Sequence, residues 1–369
     1  MNALNKPITL NNGAILKNRV VMAPMTSKGS TWDGQIDQED LDFFSHRSEA
    51  AGLIVTGATA VSALGEKFSY QMSIYDDRFI PGFTKLATSL KRHGNKVLAQ
   101  LYHGGANSKV SYEKHKKAVA PSGVDFHHLP YQVTELTDQD IRNLIQDFGR
   151  ATRRVIKAGF DGVEIHGAYS HMIQQFFSPY SNKRDDYWGG SLEKRMNFAL
   201  EIIKEVQQTA KQFAHDEFII GYRLTEEESH KQAVGYGIKE TLQLIDRLAE
   251  TKLDYIHVTS DKYGKEIKET INGRTAFIFV PHVFTVEDAL RGLEYGDMVS
   301  MARAALIEPE FAKKIDEGRE EEIATEITSV EMAKSLYWPQ KMIDWLVDPN
   351  TSEAVPDGIH YFKALASPE

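Results

Sequence analysis

Residues 164–195 read EIHGAYSHMIQQFFSPYSNKRDDYWGGSLEKR. The stretch opens where an apolar run, Gly162-Val163-Glu164-Ile165, meets His166, and it carries Tyr169 and His171 before a segment rich in turn formers and charges. Three side chains able to give or take a proton therefore crowd one strand end. An α/β barrel places its chemistry there, because the C-terminal ends of its strands point into the site.

Working outward, short apolar runs alternate with helical patterns on both sides of this stretch. Candidate strands lie at 19–23, 53–58, 97–103, 162–166, 218–223, 255–259, 276–280 and 298–301, each a buried-parallel-strand pattern. Helices are expected between them, at 37–51, 81–93, 192–213 and 238–251. A further helix opens at Thr137-Asp138-Gln139-Asp140, a capping sequence, and shows Ile141, Leu144, Ile145, Phe148 and Val155 on one face. Eight strands separated by helices are what a (β/α)8 TIM barrel requires. Asn12-Gly13 between two short extended pieces predicts an N-terminal hairpin, either a plug for the barrel floor or a simple turn. The expected organisation is a barrel over 1–319 and a C-terminal extension packed on it over 320–369, a surface appendage or part of an oligomer contact. Residues 104–136 form a long polar loop, a length usually associated with function, such as a lid.

Composition narrows the function classes. The chain has 369 residues, 41% hydrophobic and 26% charged, with a formal charge of −9. A net acidic chain is a poor match for nucleic acid or for an anionic membrane surface. With no cysteine, disulfides, thiolate metal sites and cysteine-ligated clusters are excluded. No charged-then-apolar leader and no run of about 18 apolar residues is found, so the expectation is a cytoplasmic protein. His103, His127 and His128 invite a metal reading, but His127-His128 lack a spaced carboxylate partner and read as loop residues; His103, at a strand end, is expected to line the site cavity. The charge runs Asp185-Asp186 and Glu226-Glu227-Glu228 read as solvated loops or helix starts. No Walker loop and no Gly-x-Gly-x-x-Gly fingerprint is present.

The tail Phe177-Ser178-Pro179 through Asn182, Arg184, Asp185, Gly189-Gly190-Ser191-Leu192 and Arg195 resembles the signature of the Old Yellow Enzyme family, and the resemblance runs in order from about Pro7 to about Lys314. It implies FMN as cofactor and NADH or NADPH as reductant, with hydride passing to an activated alkene or quinone-like acceptor. Larger relatives with an added redox domain carry a cysteine-held cluster, which this chain cannot. By resemblance Pro24, Met25 and Thr26 lie beside the flavin ring, Ala58 offers backbone groups, and Gln100 and Arg223 serve the pyrimidine side. Each has a plainer reading: Thr26 as a strand-ending turn, Gln100 as a satisfied polar residue, Arg223 as half of an internal ion pair with Glu164. His282, Ala302 and Arg303 correspond to the phosphate site. Members commonly form dimers or tetramers.

Two departures from the family pattern stand out. After the seventh strand, Pro281-His282 replaces a glycine-containing pair, so one backbone N–H that would hold phosphate is missing. In the catalytic stretch, members read His, two residues, His or Asn, one residue, Tyr. Here the positions hold His166, Tyr169 and His171, so imidazole and phenol are interchanged. His166 and Tyr169 would then grip the substrate oxygen, and His171 would be the proton donor by position, a stronger acid at its ordinary pKa near 6.5 than tyrosine at about 10. The same departures raise an alternative, a degenerate barrel that binds flavin weakly or not at all and acts as a binding or assembly partner.

Overall fold

The strand at Gly162–Gly167 is one stave of a closed barrel. The computed structural model describes residues 2–126, 129–230, 233–351 and 355–367. In chain order the barrel is built from β1 (Val20–Met22), α1 (Gln38–His46), β2 (Leu53–Ala60), α2 (Ile80–Leu90), β3 (Lys96–Tyr102), α3 (Asp138–Lys157), β4 (Gly162–Gly167) and α4 (Leu192–Phe213). It continues with β5 (Ile219–Leu224), α5 (Ile238–Glu250), β6 (Tyr255–His257), α6 (Gly264–Ile271), β7 (Ala276–Phe279), α7 (Val286–Gly292), β8 (Met298–Met301) and α8 (Phe311–Asp316). Every neighbouring pair is parallel, and β8 closes on β1 with Val299 beside Val20. This is the (β/α)8 barrel that the alternation predicts.

Local chemistry sets the element ends. Thr137 accepts from the Asp140 backbone N–H while Asp140 accepts from that of Thr137, a complete capping box, and the expected face of α3 is buried. α3 packs against α4, whose N-cap is Ser191.

The hairpin plugs the barrel floor. Ile8–Thr9 pairs antiparallel with Ile15–Leu16, and Gly13 turns the chain at φ 91°, a conformation that favours glycine. Leu10, Ala14 and Leu16 then join Val21, Leu53, Leu98, Ile219, Ile278 and Met298 in one buried cluster at the N-terminal ends of the strands. Asp254 ties plug to barrel, accepting from the backbone N–H of Asn12 (3.1 Å) and of Ile220 (2.7 Å).

One expectation needs correction. The stretch 104–136 is not a plain loop: it contains a helix, Lys109–His115, and a two-residue parallel pair, Val119–Ala120 with Thr134–Glu135. The chain beyond 320 packs on the barrel. Helix Gln340–Leu346 buries Met342, Ile343 and Leu346, Trp338 donates to the Leu306 carbonyl (3.3 Å), and Trp338 stacks on Phe362. The buried Arg47 guanidinium links both parts, donating to the carbonyls of Ala305 and Leu336. Among the described residues no helix is long and apolar enough to cross a membrane.

Candidate active site

Above the apolar floor the barrel interior becomes polar. Glu164 is fully buried and accepts three hydrogen bonds, from Gln100 Nε2 (2.7 Å), Tyr255 OH (3.0 Å) and His257 Nδ1 (2.8 Å). A Cβ at Gly221 would sit inside the Tyr255 ring, so the glycine makes room for the phenol to cross the barrel. Burial pushes the Glu164 carboxyl up, but the His257 contact, the Arg223 charge and Gln100 outweigh it and hold it near 2. Burial and Arg223 lower His257 while Glu164 opposes them, and the ring donates its Nδ1 proton to the ionised Glu164.

Over this layer, at the C-terminal ends of the strands, lies a cavity of about 660 Å³. Pro24, Met25, Thr26, Ala58, Gln100, His166, Tyr169, His171, Arg223, Ala302 and Arg303 all line it. His282 does not. Its side chain is 60% exposed and its Nδ1 lies 3.2 Å from Asp261, although the backbone adopts φ 51°, the left-handed conformation that glycine or asparagine adopts readily. Pro281 is accommodated by Gly292, where a Cβ would strike the proline ring.

The ion pair considered for Arg223 is not formed. Arg223 is 5% exposed, its Nη2 donates weakly to Tyr169 OH (3.4 Å), and its Nε is buried with no hydrogen-bond partner. A guanidinium so placed requires an acceptor from the cavity side. Arg303 lies over the Phe284 ring at 4.9 Å, and among the described residues no carboxylate is paired with it. The charged side chains of the cavity wall are Lys67, Arg223 and Arg303, all cationic.

The stretch from His166 to His171 folds tightly. Tyr169 and Ser170 both sit at φ 55°, a strained conformation for non-glycine residues, held by Thr225 Oγ1 on the Tyr169 N–H (3.1 Å) and Gln174 Oε1 on that of Ser170 (2.9 Å). The turn leaves the Tyr169 phenol half exposed and folds His171 back under it, with Nδ1 3.1 Å from His166 Nε2. Burial, with Arg223 as the next contribution, lowers His166 to about 3; burial, His166 and Lys67 hold His171 well below its ordinary range. Both rings are neutral near pH 7. A neutral His171 is therefore not the stronger acid that the ordinary imidazolium pKa implies.

Other readings are revised as well. His103 does not line the cavity: it is buried, lowered to about 3 by that burial, and its Nδ1 accepts from the Gly105 N–H (3.0 Å), pinning the turn after β3. His127 and His128 lie outside the described residues; among those described, no group of three His, Asp or Glu side chains converges as a metal site. Glu226 and Glu228 are buried, not solvated, with Glu226 accepting from Thr259 and from both the backbone and hydroxyl of Ser260. Lys67, Phe68, Met342, Trp345 and Leu346 complete the cavity wall. Sequence reasoning missed them because Lys67-Phe68 falls in a stretch without periodicity, and the others come from a helix far along the chain.

The signature tail is braced from within and against the helix that follows His171. Asn182 Nδ2 donates to the carbonyls of Phe176 and Trp188, and Arg195 donates to those of Phe177 and Gly190 and to Glu240. The profile of the NADH:flavin oxidoreductase / NADH oxidase family matches residues 3–322. The chain belongs to the Old Yellow Enzyme family. It is 36% identical over 368 residues to the probable NADH-dependent flavin oxidoreductase YqiG of Bacillus subtilis, covering 96% of this chain and 97% of that protein. It is 34% identical to the NADH:acrylate oxidoreductase of Vibrio harveyi over 94% of this chain but only 36% of that longer protein. The old yellow enzyme homologue of Zymomonas mobilis shares its fold, with a TM-score of 0.78 at 23% identity, covering 91% of this chain and 99% of that one. The chain is thus an NAD(P)H:flavin oxidoreductase with FMN as cofactor.

The residues present fit FMN. The unsatisfied Arg223 Nε offers a buried cation to an electron-rich ring edge, and Arg303 offers a guanidinium for a phosphate. At Gly57 a Cβ would strike the Met25 carbonyl, so the glycine lets β2 close up to the Pro24-Met25-Thr26 segment. Bound FMN supplies two-electron chemistry, accepting hydride from a nicotinamide and giving it up again.

Proposed function

We propose that this enzyme reduces an activated alkene, such as an enone or an unsaturated acid, at the expense of NADH or NADPH. Quinone-like acceptors form a second class served by the same cavity. The observation that carries the reading is the convergence of His166, Tyr169 and His171 with the unsatisfied Arg223 in one cavity. The 34% identity to a protein named for acrylate supports it.

In this reading the chain's own groups divide the work. Arg223 and Arg303 hold the cofactor, with Thr26, Ala58 and Gln100 around its ring. Tyr169, with its phenol at the open side of the cavity and Arg223 Nη2 beside its oxygen, donates to the developing oxyanion together with His166. Phe68, Trp345, Met342 and Leu346 form the apolar wall, so the segment beyond 320 belongs functionally to the barrel.

The test is anaerobic. FMN-loaded protein is bleached with NADH or NADPH, then mixed with 2-cyclohexenone, cinnamaldehyde or acrylate. Return of flavin colour with a saturated product supports the proposal. Reoxidation by benzoquinone but by none of the alkenes would reject it.

A further inference from the structure

The cavity lacks a competent acid where the family's tyrosine would stand. His171 occupies that position, but it is neutral, and a neutral imidazole N–H is a far weaker acid than a phenol. Another group reaches the same spot. Lys67 lines the cavity with Nζ 3.5 Å from His171 Nε2 and 4.8 Å from the Phe68 ring centre. Among the described residues no other ammonium is hydrogen-bonded to His166, Tyr169 or His171.

The Lys67 backbone is fixed by buried groups. Its N–H is shared between Gln71 Oε1 (3.1 Å) and Tyr102 OH (3.0 Å), and the Phe68 N–H also reaches Gln71 Oε1 (2.8 Å). Tyr102 in turn donates to Gln71, and its ring lies edge-on to His171 at 5.0 Å. Strand β3 thereby sets the corner from which the lysine side chain extends. An alkyl ammonium has an ordinary pKa near 10.4, close to the phenol value of about 10, so lysine matches the acidity of the missing tyrosine.

We infer that Lys67 is the proton donor of this site, held on target by the His171–His166 pair. The inference rests on the alkene reading above. Once the alkene has taken up hydride at one carbon, the other carbon carries the electron pair of the former double bond. A Lys67 Nζ–H bond breaks, a C–H bond forms there, and the amine left behind takes a proton from water through the open cavity. Each state of the lysine takes a different tautomer of the imidazole pair. As ammonium, Lys67 donates to His171 Nε2 while His171 Nδ1–H donates to His166 Nε2, at the expense of the Ala168 N–H bond to His166 Nδ1; as amine, Lys67 accepts from His171 Nε2–H, His171 Nδ1 accepts from His166 Nε2–H, and His166 Nδ1 accepts from the Ala168 N–H (3.3 Å).

The test compares FMN-loaded wild type, K67M and K67R, each reduced anaerobically with NADH and then mixed with 2-cyclohexenone or benzoquinone. General acid catalysis is worth about 100-fold or more, so both variants should reoxidise with the enone at least that much more slowly. Benzoquinone, which takes its protons on oxygen from water, should react with all three at comparable rates. The ¹⁵N resonances of the His171 ring in the oxidised enzyme should move in K67M, since the ammonium beside Nε2 is gone. Arginine keeps the charge without releasing a proton, so a K67R enzyme with the wild-type enone rate would overturn the assignment, as would unmoved His171 resonances. Wild type and K67M that are equally inert to the enone would reject the alkene reading itself, and with it this role, a pattern distinct from loss in the variants alone.

Discussion

The two ends of the barrel are built on opposite principles. At the floor, Leu10, Ala14 and Leu16 of the hairpin close an apolar cluster, and the nearby polar groups, such as Asp254, are satisfied by backbone N–H groups. At the top, a carboxylate is saturated by three donors while the guanidinium of Arg223 keeps a buried, unpartnered Nε. The contrast shows where stability ends and function begins: the floor is complete on its own, and the top is completed by what it binds.

The sharpest break in this contrast would come at Glu164. Replacing it with leucine leaves Gln100, Tyr255 and His257 without their acceptor and Arg223 without a compensating charge, and removing one partner of a buried ionic network costs about 3–5 kcal/mol. Denaturant melts should show the loss, with flavin binding damaged as well. Leu16→Ala, on the floor, should cost about 2–5 kcal/mol of stability and leave the FMN dissociation constant unchanged. Arg223→Met should do the reverse. Loss of charge-assisted hydrogen bonds of about 1.5–3 kcal/mol should weaken FMN roughly 10- to 100-fold, with a smaller change in apoprotein melting, because a buried guanidinium with an unpartnered Nε is removed together with one of the charges that keep Glu164 ionised.

Acid should act on the upper half first. His103 and His166 are held near 3 by burial, whereas unfolded imidazoles titrate near 6.5, so between these values the unfolded chain binds more protons. Their contribution is complete above about pH 6.5 and is lost as the pH falls toward 3. Asp40 and Asp254, raised by burial to about 6, act in the opposite sense between about pH 4 and 6, where the folded chain binds more protons. His103→Asn, which keeps an acceptor for the Gly105 N–H, should make the melting temperature fall less steeply below pH 6. The smallest effect is expected from Pro281→Gly, which adds one backbone donor where the family resemblance places the phosphate and should tighten FMN by a few-fold in a fluorescence titration.

What was legible in the sequence follows the same division. The strands and the plug were readable because buried parallel strands are short apolar runs and Asn12-Gly13 marks a turn. The strand-end residues were readable because a polar side chain closing such a run, as at Gln100, His166 and Arg223, faces the site in any barrel. Residues whose position depends on long-range packing were not readable. Lys67 is placed by Tyr102 and Gln71, and Trp345 by the docking of the C-terminal helix, contacts that leave no period in the sequence. The run at 226–228 looked solvated because its hydrogen-bond partners, Thr259 and Ser260, lie beyond the next strand. His171 misled for an electrostatic reason: its residue type suggests an acid, and burial beside a second imidazole and an ammonium removes its charge.

The most direct test is a set of FMN absorption titrations on wild type, Arg223→Met and Leu16→Ala, each desalted and scanned for retained flavin bands. Flavin retained by wild type and Leu16→Ala but largely lost from Arg223→Met is the result expected if the top of the barrel is completed by its cofactor. Equal retention in all three, or a colourless wild type that cannot be reconstituted, would contradict it.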